Sequence, residues 1–458
     1  MQHRVSHATQ APEAAGDVEI TEQGQRAGRA QQRTTLGRRG QRQHPPARHQ
    51  QAQDTQPDVA AADDQQHRTA LEGSRQGHVG ARRGTRGQNR RSEFTCAHHA
   101  HMVRVALDHP CLMSFHITLE PAQRQFDVER DEPILAAAIR QGVGLPYGCR
   151  DGACGSCKSR LLHGRVIHGA HQLKALSVLE EESGWILTCC ATPQSDCLVE
   201  ARSVPGAGEH PVLKMPTRVM SIERVTDDVA VLRLQLPANQ NFQYRAGQYL
   251  EFILRDGARR SYSMANAPHL VGNPPAIELH LRHMPGGKFT DHVFATMKDK
   301  EILRMEGPFG SFFLREDSDK PLILLASGTG LAPIKAIIEQ LQHRASTRPA
   351  VLYWGVRRRA DLYRDAWCLQ AADTMPNLRY VPVLSEPTPE DAWPGRTGFV
   401  HHAVMADWPD LSGHQVYACG APVMVSAAKH DFVARCGLPA DEFHADAFTS
   451  EADKHGNA

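Results

Sequence analysis

Apolar and polar positions alternate over residues 114–120 and 125–129 with Pro121 between them, which predicts two short strands folded as a hairpin. Pro133 opens a helical stretch over 134–141 that Gly142 ends. A glycine-rich loop follows at 147–157. Beyond it the pattern predicts a strand over 158–167, a short helix over 176–183 and closing strands over 185–190 and 197–201. Together these make a small mixed α/β unit.

Residues 205–211, with Gly206, Gly208 and two prolines, read as a linker. Six strands are predicted after it, over 217–225, 229–236, 248–254, 260–264, 276–282 and 302–307. Strands at that spacing with turn residues between them suggest a small antiparallel barrel. After Pro321 the texture changes. Residues 322–326 are continuously apolar, then come Gly328-Thr329-Gly330 and a helix over about 332–343. Further buried strands at 351–354, 380–384 and 415–418, with helices between, are the signature of a doubly wound parallel sheet.

Residues 1–112 have a different texture: rich in Gln, Arg, His, Gly and Ala, without Lys and almost without aromatic residues. Such a stretch cannot bury enough apolar surface to offset the entropy of ordering. A disordered low-complexity extension is expected there, or a translation start at Met113, and no function is assigned to it. The expected domains are therefore 1–112, 113–205, 206–318 and 319–458. Net charge is only +1, so composition gives no argument for a nucleic-acid partner. With no apolar run of spanning length and no signal-peptide profile, a soluble cytoplasmic protein without a membrane span is expected, acting as a monomer.

Eleven cysteines in such a protein point to metal or redox chemistry more than to disulfides. Cys149-x4-Cys154-x2-Cys157, followed by the adjacent pair Cys189 and Cys190, has plant-type 2Fe–2S spacing: three thiolates on one loop and a fourth from a distant segment. Gly148, Gly152 and Gly155 would let backbone N–H groups approach the cluster sulfurs. A four-cysteine zinc site is the rival, but it normally shows two Cys-x2-Cys knuckles and only one is present. Spacing leaves open whether Cys189 or Cys190 is the fourth ligand.

Two further motifs carry chemistry. Arg260-Ser261-Tyr262-Ser263 offers an aromatic face, hydroxyls and a cation on one strand, which is what a flavin dinucleotide requires; Gly286-Gly287-Lys288-Phe289-Thr290 offers N–H groups to a phosphate at a helix start. Gly328-Thr329-Gly330-Leu331-Ala332-Pro333 turns from strand to helix as a pyrophosphate loop would, although Pro333 stands where a third glycine is usual. Cys419-Gly420-Ala421-Pro422 is a second turn of this kind, and both lie where open sheets bind ligands.

From about Met113 onward the chain resembles the ferredoxin–NAD(P)H reductase superfamily with an N-terminal plant-type ferredoxin domain. Within it, the sequence is similar to CDP-6-deoxy-Δ3,4-glucoseen reductase-like proteins and to oxygenase reductase components. The resemblance implies a multidomain α/β and β architecture: a β-grasp 2Fe–2S domain, a six-stranded antiparallel FAD-binding barrel and a doubly wound NAD(P)H-binding domain. It selects Cys189, after a Leu-Thr pair, with Cys149, Cys154 and Cys157 as cluster ligands. It implies that Arg260, Ser261, Tyr262 and Ser263 hold FAD, with Tyr262 stacked on the ring and Ser263 near N5, and that Gly286, Gly287 and Thr290 hold its phosphates. It places Gly328, Thr329 and Gly330 on the dinucleotide, Cys419 and Gly420 by the nicotinamide, and Phe448 against the flavin. Ser263, Cys419 and Phe448 are the expected catalytic residues; His444 and Asp446 are left without a role, with plain surface positions as the alternative for them.

The implied activity is hydride uptake from a nicotinamide cofactor and release of single electrons through the cluster to a docked protein, an oxygenase component or a sugar dehydratase. The run Trp354-Gly355-Val356-Arg357, followed by Asp361-Leu362-Tyr363, resembles NADH-using relatives, with NADPH left open by Arg357, Arg358 and Arg359. Two other readings remain: a reductase of free flavin or quinone, and a zinc module fused to a nucleotide sensor.

Overall fold

The computed structural model describes residues 114–450; the stretch 1–112, with its expected disorder, lies outside the described residues. Three large sheets follow one another along the chain, with a small two-stranded one beside the first.

The first is built from β1 (Ser114–Glu120), β2 (Arg124–Glu129), β3 (Lys158–His163), β5 (Trp185–Leu187) and β7 (Cys197–Glu200), in the order β2-β1-β7-β3-β5. The chain enters as the expected hairpin, and β7 returns to lie parallel to β1. Helix α1 (Ile134–Arg140) packs Ile134, Leu135, Ala137 and Ala138 onto the sheet's buried Ile117, Leu119 and Val128. The single strand expected over 158–167 is two, β3 and then β4 (Val166–His168), which pairs with β6 (Ala191–Pro193). Gly164 breaks it, with φ +101° and no room for a side chain: a Cβ there would lie 2.4 Å from the Asp196 carbonyl. The strand expected over 185–190 stops at Leu187, where the Cys190 N–H donates back to the Leu187 carbonyl at 2.9 Å. That turn presents Cys189. Helix α2 (Val178–Glu182) is opened by a reciprocal cap between Ser177 and Glu180.

The second sheet holds β8 (Leu213–Arg224), β9 (Val229–Gln235), β10 (Tyr249–Ile253), β11 (Arg259–Ser263), β12 (Ala276–Arg282) and β13 (Ile302–Phe309), all six of the expected strands. Neighbours are antiparallel in the order β11-β10-β13-β8-β9-β12, and a bridge between Met264 and Leu279 brings the two edges together. Inward residues such as Leu232, Leu234, Leu250, Phe252 and Leu279 fill the interior. Helix α3 (Lys288–Ala295) adds Phe289, whose ring lies 4.6 Å from that of Phe252.

The third sheet is wholly parallel: β14 (Leu322–Ser327), β15 (Ala350–Val356), β16 (Leu378–Leu384), β17 (Arg396–Thr397), β18 (Gln415–Gly420) and β19 (Phe443–Ala447), ordered β17-β16-β15-β14-β18-β19. Its helices are α4 (Leu331–His343), α5 (Asp365–Thr374), α6 (Val400–Asp407) and α7 (Pro422–Arg435). The continuous apolar run of β14 is explained by burial on both faces. Leu322, Leu324 and Ala326 pack with α4 and α5, while Ile323 and Leu325 pack with α6 and α7. Strand β19 carries too little apolar periodicity to be read from sequence.

Leu324 is fully buried at the centre of this sheet. Leu324→Ala is expected to cost about 2–5 kcal/mol, read in urea unfolding as an earlier loss of the tryptophan signal from Trp354, which sits in the same core.

Candidate active site

The loop at 147–157 folds around its own thiols. Cys149 N–H points at Cys154 Sγ (3.4 Å), Cys154 N–H at Cys149 Sγ (3.3 Å) and Ser156 N–H at Cys154 Sγ (3.5 Å). Cys157 Sγ and Cys189 Sγ lie 3.3 Å apart. The four expected ligands are thus together, as two pairs. Contact within the first pair lowers the Cys154 thiol to about 6 and pushes Cys149 up; contact with Cys157 and then Cys190 pushes Cys189 up. Tight coiling needs unusual backbone: Arg150, Gly152 and Gly155 have φ of +64°, +77° and +74°. A Cβ on Gly152 would lie 2.9 Å from Cys190 Sγ. Two thiolate pairs with converging N–H groups suit a cluster of two irons, each taking one pair.

The loop is strapped to the second sheet. Tyr147 N–H donates to Ser311 Oγ (2.8 Å), and the Tyr249 hydroxyl donates to the Gly148 carbonyl (2.7 Å). Arg150 reaches Glu251 Oε2 at 2.5 Å and lies 3.9 Å over the Phe309 ring. Glu251 is nearly inaccessible and also binds Arg259 at 2.5 Å. Arg150 carries no sequence signal of this role, because a charged residue inside a cysteine loop belongs to no periodic pattern.

Beside the strap opens a cleft of about 1480 Å³, walled by all three sheets. The cluster loop contributes Gly148 and Cys149; β11 contributes Arg260, Ser261, Tyr262 and Ser263; the start of α3 contributes Gly286, Gly287 and Thr290. From the parallel sheet come Gly328, Thr329, Gly420, Asp446 and Phe448. Tyr262 is backed by Phe252 and Phe289, with ring centroids at 5.9 and 5.4 Å. Gly286 has φ +81° and open space where a Cβ would sit, while Thr290 Oγ1 donates to the Met284 carbonyl at 3.0 Å and so shapes the turn. These features suit an isoalloxazine against Tyr262 and phosphates against the 286–290 turn.

Two expected residues stand behind the wall. Cys419 is wholly buried and Gly330 packs against it: a Cβ on Gly330 would lie 2.2 Å from the Cys419 carbonyl oxygen. Both are outside the cleft lining, and their visible work is to seat the β14 and β18 turns against each other. That contact sits where the order reverses around β14, at the carboxyl ends of adjacent parallel strands.

The reading of His444 and Asp446 as surface positions is corrected, since both are buried. His444 packs against Tyr417 with centroids 4.7 Å apart. Asp446 faces the cleft, and its carboxylate accepts from Ser263 Oγ at 3.2 Å. Burial, aided by the charge of Cys154, raises its pKa to about 7. A lone acid between alanines on a short strand offered no sequence signal. Of the three arginines after β15, only Arg357 lines the cleft; Arg358 bonds Thr388 Oγ1 at 2.5 Å and Arg359 bonds the Asp391 carbonyl at 3.2 Å.

Three family models match in order: 2Fe-2S iron-sulfur cluster binding domain at 117–194, Oxidoreductase FAD-binding domain at 216–314 and Oxidoreductase NAD-binding domain at 324–430. The first sets aside the zinc reading of the four thiols. The chain is 40% identical over 339 residues to the CDP-6-deoxy-L-threo-D-glycero-4-hexulose-3-dehydrase reductase of Yersinia pseudotuberculosis, covering 73% of this chain and 99% of that one. It is 35% identical over 348 residues to a terephthalate 1,2-dioxygenase reductase component of Comamonas, covering 75% and 100%. Among solved structures, the Amycolatopsis cytochrome P450 reductase GcoB superposes with a TM-score of 0.61 at 34% identity, over 73% of this chain and 99% of that one. The chain therefore belongs to the ferredoxin–NAD(P)H reductase family, as an electron-transfer oxidoreductase with 2Fe–2S, FAD and NAD domains.

Proposed function

We propose that the protein is the reductase component of a two-protein system, drawing electrons from NADH and delivering them singly to a separate oxygenase or sugar-dehydratase partner. One observation carries this: the cluster loop, the Arg260–Ser263 strand and the Gly328 turn wall a single cleft. A reductase of free flavin or quinone would have no use for a cluster loop strapped into that wall.

On this reading the domains run 113–205, a β-grasp; 206–318, a barrel; and 319–458, a doubly wound sheet. Bound FAD supplies the conversion of a hydride into two one-electron steps. The chain's own residues hold and tune. Tyr262 and Phe448 would pack against the ring, Arg260 would neutralise phosphate charge, and the 286–290 turn would offer N–H groups to it. Gly328, Thr329 and Gly420 let the nicotinamide dinucleotide approach closely, with Gly330 and Cys419 supporting them from behind. Ser263 would offer its hydroxyl to the ring, and Asp446, which accepts from it at 3.2 Å and whose pKa is raised to about 7, would hold or release a proton beside it. Cys149, Cys154, Cys157 and Cys189 ligate the cluster.

Cys189→Ser is expected to lose the cluster's visible bands and about two irons per chain, while Cys190→Ser keeps both. The same Cys189 variant is expected to retain NADH–ferricyanide activity, taken at the flavin, and to lose cytochrome c reduction. Retained cytochrome c reduction would remove the cluster from the route.

Two of the three arginines are engaged elsewhere, and Arg357 already lies 4.0 Å from Asp228, so a 2′-phosphate gains little. NADH is expected to exceed NADPH at least about tenfold in kcat/KM, a difference of 1.4 kcal/mol; the ferricyanide assay with each nucleotide decides it.

Asp446 has a raised folded-state pKa, so its contribution to stability is complete below the ordinary carboxylate range and is lost as pH rises through about 7. Asp446→Asn should abolish that step, worth roughly 2–4 kcal/mol, in chemical unfolding measured across the same pH range.

A further inference from the structure

A second group of side chains stands on α6 and α7, at the parallel-sheet wall of the cleft. His401 and His402 open α6 and line the cleft, and Asp431 faces them from α7. One ligand atom from each of the three lies within 4.8 Å of the others.

His401 is the telling member. Its side chain is 8% exposed, and its Nδ1 is buried with no hydrogen-bond partner. Its Nε2 is 3.6 Å from Asp431 Oδ2, too long for a hydrogen bond. A buried imidazole with an orphaned nitrogen calls for an explanation, because such groups are nearly always satisfied. The His402 ring stands 4.2 Å away, centroid to centroid, and is exposed.

We infer that His401, His402 and Asp431 form a site for a divalent zinc-class cation that joins α6 to α7 at the parallel-sheet wall of the nucleotide cleft. Two imidazoles and a carboxylate are a borderline-soft donor set, and three protein ligands leave a fourth position for water or a substrate oxygen. Tetrahedral bonds near 2.0 Å put ligand atoms about 3.3 Å apart, against a present spacing of at most 4.8 Å. Asp431 also has neighbours on its own helix. His430 Nδ1 at 3.2 Å and Arg435 at 3.8 Å are the other groups approaching that carboxylate.

The position gives the cation an effect. Val400, just before the histidines, packs on the Gly355 turn, where a Cβ would lie 2.7 Å from Val400 Cβ. The first turn of α7, Pro422–Met424, is also cleft wall. A cation fastening the two helices, with its open position facing the cleft, competes with the dinucleotide.

The test uses holoprotein with its flavin and cluster in place and zinc chloride as the probe. Equilibrium dialysis should give one zinc per chain with iron content unchanged, which separates this site from exchange at the cysteines. Zinc at ten times its Kd should raise KM for NADH about elevenfold, with dichlorophenolindophenol as the acceptor because ferricyanide would precipitate the zinc. His402→Ala and Asp431→Asn, chosen because both side chains are less buried than His401, should lose the zinc and the KM response together. No zinc at intact iron content, equal zinc in the variants, or bound zinc that leaves KM unchanged overturns the proposal.

Discussion

The strap between the cysteine loop and the second sheet is the contact on which the rest of the molecule depends. Arg150 and Glu251 meet in a nearly closed environment, with Arg259 on the same carboxylate and the Phe309 ring under the guanidinium. Ion pairs in such places gain little net stability, because desolvation cancels much of the attraction. Their geometry is nevertheless demanding, and removing one partner strands a buried charge. Here that demand holds a loop of otherwise irregular backbone at one distance from the second sheet. The hydrogen bonds from Tyr147 and Tyr249 act in the same direction, and Tyr249 and Phe309 extend the first core into the second sheet. Electron transfer between cofactors needs fixed separation more than it needs reactive side chains.

The nucleotide side meets the same need by close packing. The turn after β14 and the turn after β18 approach so nearly that a side chain at Gly330 or Gly420 would strike backbone or Ser327. Cys419 is spent on that contact, sealed between the strands, while Gly420 and Ala421 reach the cleft. Asp446 arrives on the edge strand β19, paired opposite Cys419, and its bond to Ser263 links the parallel sheet to β11. One buried carboxyl thus joins two domains at the point where they share the cleft.

Much of this was legible in the chain. The cysteine spacing is a local property of one loop, and a thiolate cluster tolerates little variation in it, so Cys149, Cys154 and Cys157 could be read directly. The six antiparallel strands show period-2 alternation because each has an inner and an outer face, and β14 shows none because both of its faces are covered. The choice of Cys189 over Cys190 came from resemblance; in the fold Cys189 Sγ lies 3.3 Å from Cys157 Sγ, and Cys190 Sγ lies 3.5 Å from Cys189 Sγ.

What the sequence by itself determined was the set of chemical parts and their order: thiols, a flavin strand, two strand-to-helix turns. Tertiary structure alone decided which parts face one another. Arg150 and Asp446 became site residues, Cys419 withdrew behind the wall, and the 158–167 strand broke at Gly164. Each of these outcomes depends on contacts between residues far apart in the chain, such as Gly164 against Asp196, Arg150 against Glu251 and Ser263 against Asp446. Periodicity reports only whether a position is buried within its own element. It carries no record of the partner that a charge or a glycine will meet across the fold.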